Sequence, residues 1–144
     1  MICAIFAKNL WEKLLNMENY NSQEKLFQSK SADKIIIFSP VYNGGFLAHL
    51  KKTLDWLSLA YDENKYNSLF KDKTVGVITS VRGGGGNAQN AFNILSAQLM
   101  NYGLRVFEEF HLITNKEHQK DTSIEENQKV FENITHYVNR FLEF

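Results

Sequence analysis

Lys34-Ile35-Ile36-Ile37-Phe38-Ser39 runs apolar without alternation and is β-branched at its centre, the pattern of a strand covered on both faces in a parallel sheet. Working outward, Pro40 to Phe46 reads as a loop. Leu47, Leu50, Leu54, Leu57 and Tyr61 then recur at spacings of three and four, which puts them on one helix face. The pattern repeats. Thr74-Val75-Gly76-Val77-Ile78-Thr79-Ser80 predicts a second buried strand, Val81 to Asn87 a loop with four consecutive glycines, and Phe92, Leu95, Leu99 and Tyr102 a helix that ends at Gly103. Leu104 to Phe107 resumes an extended pattern. Ser123 and Glu126 have capping-box spacing ahead of a last helix striped by Val130, Ile134, Tyr137 and Phe141. Strands alternating with helices predict a three-layer α/β fold with a parallel sheet, since right-handed crossovers return the chain to the same sheet. Before Ser31 the pattern is weaker: Ile2 to Phe6 suits a strand, and Leu10 to Met17 and Ser22 to Gln28 suit short helices.

With 144 residues, 44% of them hydrophobic, the chain reads as one domain able to bury roughly 70% of its unfolded surface without disulfides or metal. A single cysteine, Cys3, cannot form an internal bridge, which points to a reducing compartment, the cytoplasm fitting best. The apolar run Ile2 to Ala7 is too short for a membrane span and lacks the charged start of an export signal. Sixteen basic and sixteen acidic side chains cancel, and the lysines and arginines are scattered, so no nucleic-acid partner is expected. His49, His111, His118 and His136 show no metal or relay spacing, and no base stands near Cys3 to make it a nucleophile.

Ligands of open parallel sheets bind beyond the carboxyl ends of the strands, where both informative loops lie. Ser39-Pro40-Val41-Tyr42-Asn43-Gly44-Gly45 offers a pre-set turn, an aromatic face and close backbone approach, suited to a planar group. Ser80-Val81-Arg82-Gly83-Gly84-Gly85-Gly86-Asn87 offers free N–H groups ahead of a helix, a nest for oxygens. Singly, each is as readily a turn or slack in a connection. Together, after two buried strands, they form the arrangement a ligand site needs.

Ala32-Asp33-Lys34-Ile35-Ile36-Ile37-Phe38-Ser39-Pro40-Val41-Tyr42-Asn43-Gly44, followed by Leu50-Lys51-Lys52-Thr53-Leu54-Asp55-Trp56-Leu57, resembles the NADPH-dependent FMN reductase family, and the likeness extends from Ser31 to about Phe107. The resemblance implies a flavodoxin-like fold, usually oligomeric, that binds FMN and passes hydride from NAD(P)H to a small-molecule electron acceptor such as a flavin, quinone, azo or nitro compound. By the same likeness Pro40, Tyr42, Asn43 and Gly44 border the isoalloxazine, Ser80, Gly83 and Gly84 hold its polar edge, and Arg82 stands where it could stabilise the reduced anion, a solvated loop arginine being the plainer reading. The Leu47–Ser58 helix, with Trp56 off its apolar stripe, is then expected at a contact between copies. Two departures stand out. Val41 replaces the family's usual Glu, and nothing in Met1 to Lys30 resembles the loop that grips the FMN phosphate. The chain is thus expected to be N-terminally shortened by about one βα unit, with 1–30 divergent: either Ile2 to Phe6 is a displaced first strand or, the reading preferred, the chain begins at what is normally the second. A flavin-free paralogue serving as an interaction module is the alternative; a one-electron carrier fits less well with a net charge of zero.

Overall fold

The computed structural model describes residues 2–6, 32–59, 66, 69–81, 85–114 and 128–144. The helices expected over 10–17 and 22–28, and the capping box at Ser123 and Glu126, lie outside these residues. Five strands and three helices are described: β1 (Ile2–Phe6), β2 (Lys34–Tyr42), β3 (Gly45–Phe46), α1 (Ala48–Ser58), β4 (Thr74–Val81), α2 (Ala88–Asn101), β5 (Arg105–Thr114) and α3 (Gln128–Glu143). The main sheet runs β1-β2-β4-β5 with every pair parallel, and β3 folds back on β2. Ile2–Phe6 joins it as a strand, in register from Ile2↔Lys34 to Phe6↔Phe38.

Alternation along the central strands divides the core in two. Ile35, Ile37, Val75 and Val77 face α1 and α2, where Leu50, Leu54, Phe92, Leu95, Leu99 and Tyr102 pack against them. Ile36 and Ile78 face the other way, onto Tyr137 and Phe141 of α3. This is the expected three-layer arrangement. The stripe of α2 is buried throughout, Gly103 follows it at φ +86°, and Val130, Tyr137 and Phe141 form the buried line of α3. On α1, Leu50 and Leu54 are buried and Leu57 and the N-cap residue Leu47 pack against the same core, whereas Tyr61 lies outside the described residues.

One expectation is corrected. Pro40 to Phe46 is no loop: β2 continues through Pro40 to Tyr42, turns at Asn43-Gly44 and returns as β3, with Val41↔Phe46 and Tyr42↔Gly45 paired. Pro40 stands two residues past the last β1 pair, at Phe38, and at the last β4 pair, opposite Ser80, where the ladder ends. Asn43 (φ +51°) and Gly44 (φ +78°) both take the left-handed conformation that a tight two-residue hairpin requires.

The β4–β5 ladder is interrupted. Between Val75↔Val106 and Val77↔Phe110, β4 advances two residues and β5 four. An even insertion leaves the in-and-out alternation of β5 intact, so Phe110 still stacks on Phe92 of α2, with ring centroids 4.7 Å apart. The interruption is filled from α3, as the Tyr137 hydroxyl accepts from the Val77 N–H at 2.7 Å and donates to the Glu109 carbonyl at 3.3 Å. Gly76 makes room for it: a Cβ there would lie 2.9 Å from the Tyr137 hydroxyl and 3.0 Å from Cδ2 of Phe141. At the far end of α3, Lys34 Nζ donates to the carbonyls of Phe141 (3.2 Å) and Leu142 (2.8 Å), a cation on helix carbonyls that have no partner of their own.

Candidate functional site

The carboxyl ends of β2 and β4 lie side by side, and Pro40↔Ser80 is their last pair. Two predicted site residues from separate loops are therefore direct neighbours. Beyond that pair the β2–β3 hairpin projects from the sheet and carries Tyr42, 63% exposed, with Asn43 and Gly44 at its tip. Arg82, Gly83 and Gly84 fall outside the described residues; the glycine tract is picked up again at Gly85 (φ +84°), where an added Cβ would meet Leu112 Cδ2 of β5 at 2.7 Å.

The hairpin rests on the first turn of α2. Asn90 Nδ2 donates to the Gly44 carbonyl at 3.2 Å, and a Cβ on Gly44 would touch Asn87 at 3.7 Å. Asn87 heads α2 without a side-chain cap and the first turn has no acidic residue, so no side chain of the helix neutralises the positive end of its dipole, although the Ala88 N–H is taken by the Gly85 carbonyl at 2.9 Å. That is an environment for oxygen acceptors.

Under the hairpin, Ser39, Val41, Phe46, Thr79, Ala91 and Phe92 line a small dimple of about 10 Å³, room for a single water. Its exposed lining is wholly apolar, and the Ser39 hydroxyl is turned to the Pro40 carbonyl at 3.3 Å. The Thr79 hydroxyl is buried and has no hydrogen-bond partner among the described residues. Such a group costs about 1–3 kcal/mol unless something supplies one. Sequence reasoning named neither Thr79 nor Asn90. Thr79 was legible only as part of a strand, and a bond between residues 46 apart leaves no mark in local spacing.

Behind the site, α1 and α2 are joined by a polar cluster. Asp55 accepts from Lys51 Nζ at 2.6 and 2.7 Å, and the Tyr102 hydroxyl also donates to it. The Lys51 hydrogen bond, followed by that of Tyr102, holds the Asp55 carboxyl below its ordinary range. Burial, then the same carboxylate, pushes the Tyr102 hydroxyl well above its own. Trp56, one position on, is 58% exposed. Among the described residues no three His, Cys, Asp or Glu side chains gather to hold a metal, and no helix is long and apolar enough to cross a membrane.

The sequence profile of the family described as NADPH-dependent FMN reductase matches residues 19–118. FMN-dependent NADH:quinone oxidoreductase 6 of Burkholderia lata is 38% identical over 68 residues, which are 44% of this chain and 34% of that protein. The matched stretch thus spans about a third of that relative. Among solved structures, the flavoenzyme FerB, an NAD(P)H:(acceptor) oxidoreductase from Paracoccus denitrificans, superposes with a TM-score of 0.62 at 16% identity over 99% of this chain and 97% of its own. General stress protein 14 of Treponema denticola, solved with FMN, gives 0.62 at 11% identity, covering 97% of each chain. At such identities the superpositions establish the fold, which is flavodoxin-like.

Proposed function

The chain belongs to the NADPH-dependent FMN reductase family, and from that premise we propose that it is an oxidoreductase that binds FMN at the ends of β2 and β4 and uses NAD(P)H to reduce a small-molecule acceptor. When bound, FMN takes hydride from the nicotinamide and hands the electrons to a flavin, quinone, azo compound or similar molecule. The chain's own part is to hold the ring and exclude water from one of its faces.

The observation that carries this is the meeting, at the carboxyl ends of the two inner strands, of the projecting hairpin and the N-terminus of α2, which has no side-chain cap. Their chemistry suits the group. Tyr42 supplies an exposed aromatic face, Pro40, Asn43 and Gly44 supply backbone that a flat ring approaches closely, and Ser80 with Gly83 and Gly84 supplies polar contacts to the pyrimidine edge. Arg82 follows β4 directly and is assigned to the negative charge of the reduced ring.

A second copy of the chain is assigned to the outer face of α1, supported by the exposure of Trp56 in the middle of a helix turn that also carries Lys52 outward. A cytoplasmic location accords with the lone Cys3.

The test is a fluorescence titration of the purified chain with FMN beside Tyr42→Ala. Saturation at micromolar FMN, weakened about tenfold by loss of one aromatic contact, supports the assignment. A folded chain that binds none at millimolar FMN is instead a flavin-free member of the family.

A further inference from the structure

The hairpin that carries Tyr42 and Asn43 is a ribbon of two paired positions beyond the last β2–β4 pair, and isolated ribbons of that size do not hold their shape in water. Two things fix it to the body of the protein. Phe46 packs against the larger core, and Asn90 reaches from the first turn of α2 to the Gly44 carbonyl. The second bond is the one at the tip, where a tilt of the turn would move Tyr42 and Asn43 most. Asn90 is itself exposed and is not part of the core stripe of α2, so its side chain has no packing duty to explain it. A Cβ at Gly44 would stand 3.7 Å from Asn87 and 3.8 Å from Asn90 Nδ2, so the turn already sits at contact distance on the helix.

We propose that Asn90 is a positioning residue for the flavin site: its amide latches the Asn43-Gly44 turn to the start of α2 and so sets where Tyr42 and Asn43 stand relative to that helix's N-terminus. The inference rests on the flavin-binding reading above. The latch needs a donor, because the Gly44 carbonyl only accepts. Asn90→Ala removes the donor, and Asn90→Asp replaces it with a carboxylate facing a carbonyl.

Two measurements on the full chain test this, with Asn93→Ala, one turn along the same helix, as control. Without flavin, amide hydrogen exchange at residues 43–46 is expected to quicken at least threefold in both Asn90 variants and not in the control, while the central strands exchange as before. With flavin, FMN binding is expected to weaken about fivefold in Asn90→Ala, the worth of one neutral hydrogen bond, and further in Asn90→Asp. The Asn90→Asp deficit should narrow as pH falls toward about 4, where a protonated carboxyl regains a donor. Unchanged exchange at 43–46 overturns the latch. Faster exchange with unaltered FMN affinity overturns its role at the site. A wild-type chain that binds no FMN overturns that role together with the flavin reading, while the exchange result still decides the latch by itself.

Discussion

Among single residues, Tyr137 and Gly76 bear the most. Both were visible in the sequence, one as part of an apolar helix stripe and the other as a glycine in a strand, but their relation was not, because it is made by a hydroxyl crossing from one layer to another. Tyr137→Phe keeps the packing and leaves the buried Val77 N–H without its acceptor, so unfolding free energy is expected to fall by about 1–3 kcal/mol in urea titrations, with fast exchange localised at Val77. Gly76→Ala is the complementary change. Its methyl would press on a hydroxyl that two bonds hold in place, and a loss of about 1–3 kcal/mol is expected although alanine ordinarily costs a strand less than glycine does.

Among elements, the buried strands and the helix stripes were legible because continuous β-branched runs and three-four spacing report burial directly. The hairpin was not. Pro40 read as a pre-set turn, whereas it stands at the end of the β2–β4 ladder and β2 runs through it into the hairpin. The Asn-Gly pair was the signal that could have found it, since both of its φ angles are positive in the turn. Gly44→Ala is accordingly expected to loosen the hairpin, weakening FMN binding several-fold while the melting temperature of the sheet moves by only a few degrees; an unaltered affinity would mean that the ring does not rely on this turn. The tie between α1 and α2 was half legible: Lys51 and Asp55 are four apart on one helix, whereas Tyr102 was expected only as core.

For the whole molecule, two limbs of the pH profile of stability follow. The folded pKa of Asp55 is lowered, so its contribution is present above the ordinary carboxylate value near 3.9 and disappears as pH falls through the folded value; with the pair half exposed, this acid limb amounts to about 1 kcal/mol or less. Burial raises the folded pKa of both Tyr102 and Tyr137, so their contribution is complete below about pH 10 and is lost above it, as the unfolded chain ionises and the folded one does not. Urea midpoints measured from pH 9 to 11 should fall, and less steeply in Tyr137→Phe. If copies associate through α1, Trp56→Glu should shift the chain to monomer in sedimentation without altering its fold, whereas an unchanged mass would place the contact elsewhere. The hydroxyl of Tyr137 also imposes an order on biosynthesis. Strands β4 and β5 are complete once residue 114 has been made, yet the rung between them waits for residue 137, so a nascent chain paused in between exposes an unfinished seam to chaperones and to like chains.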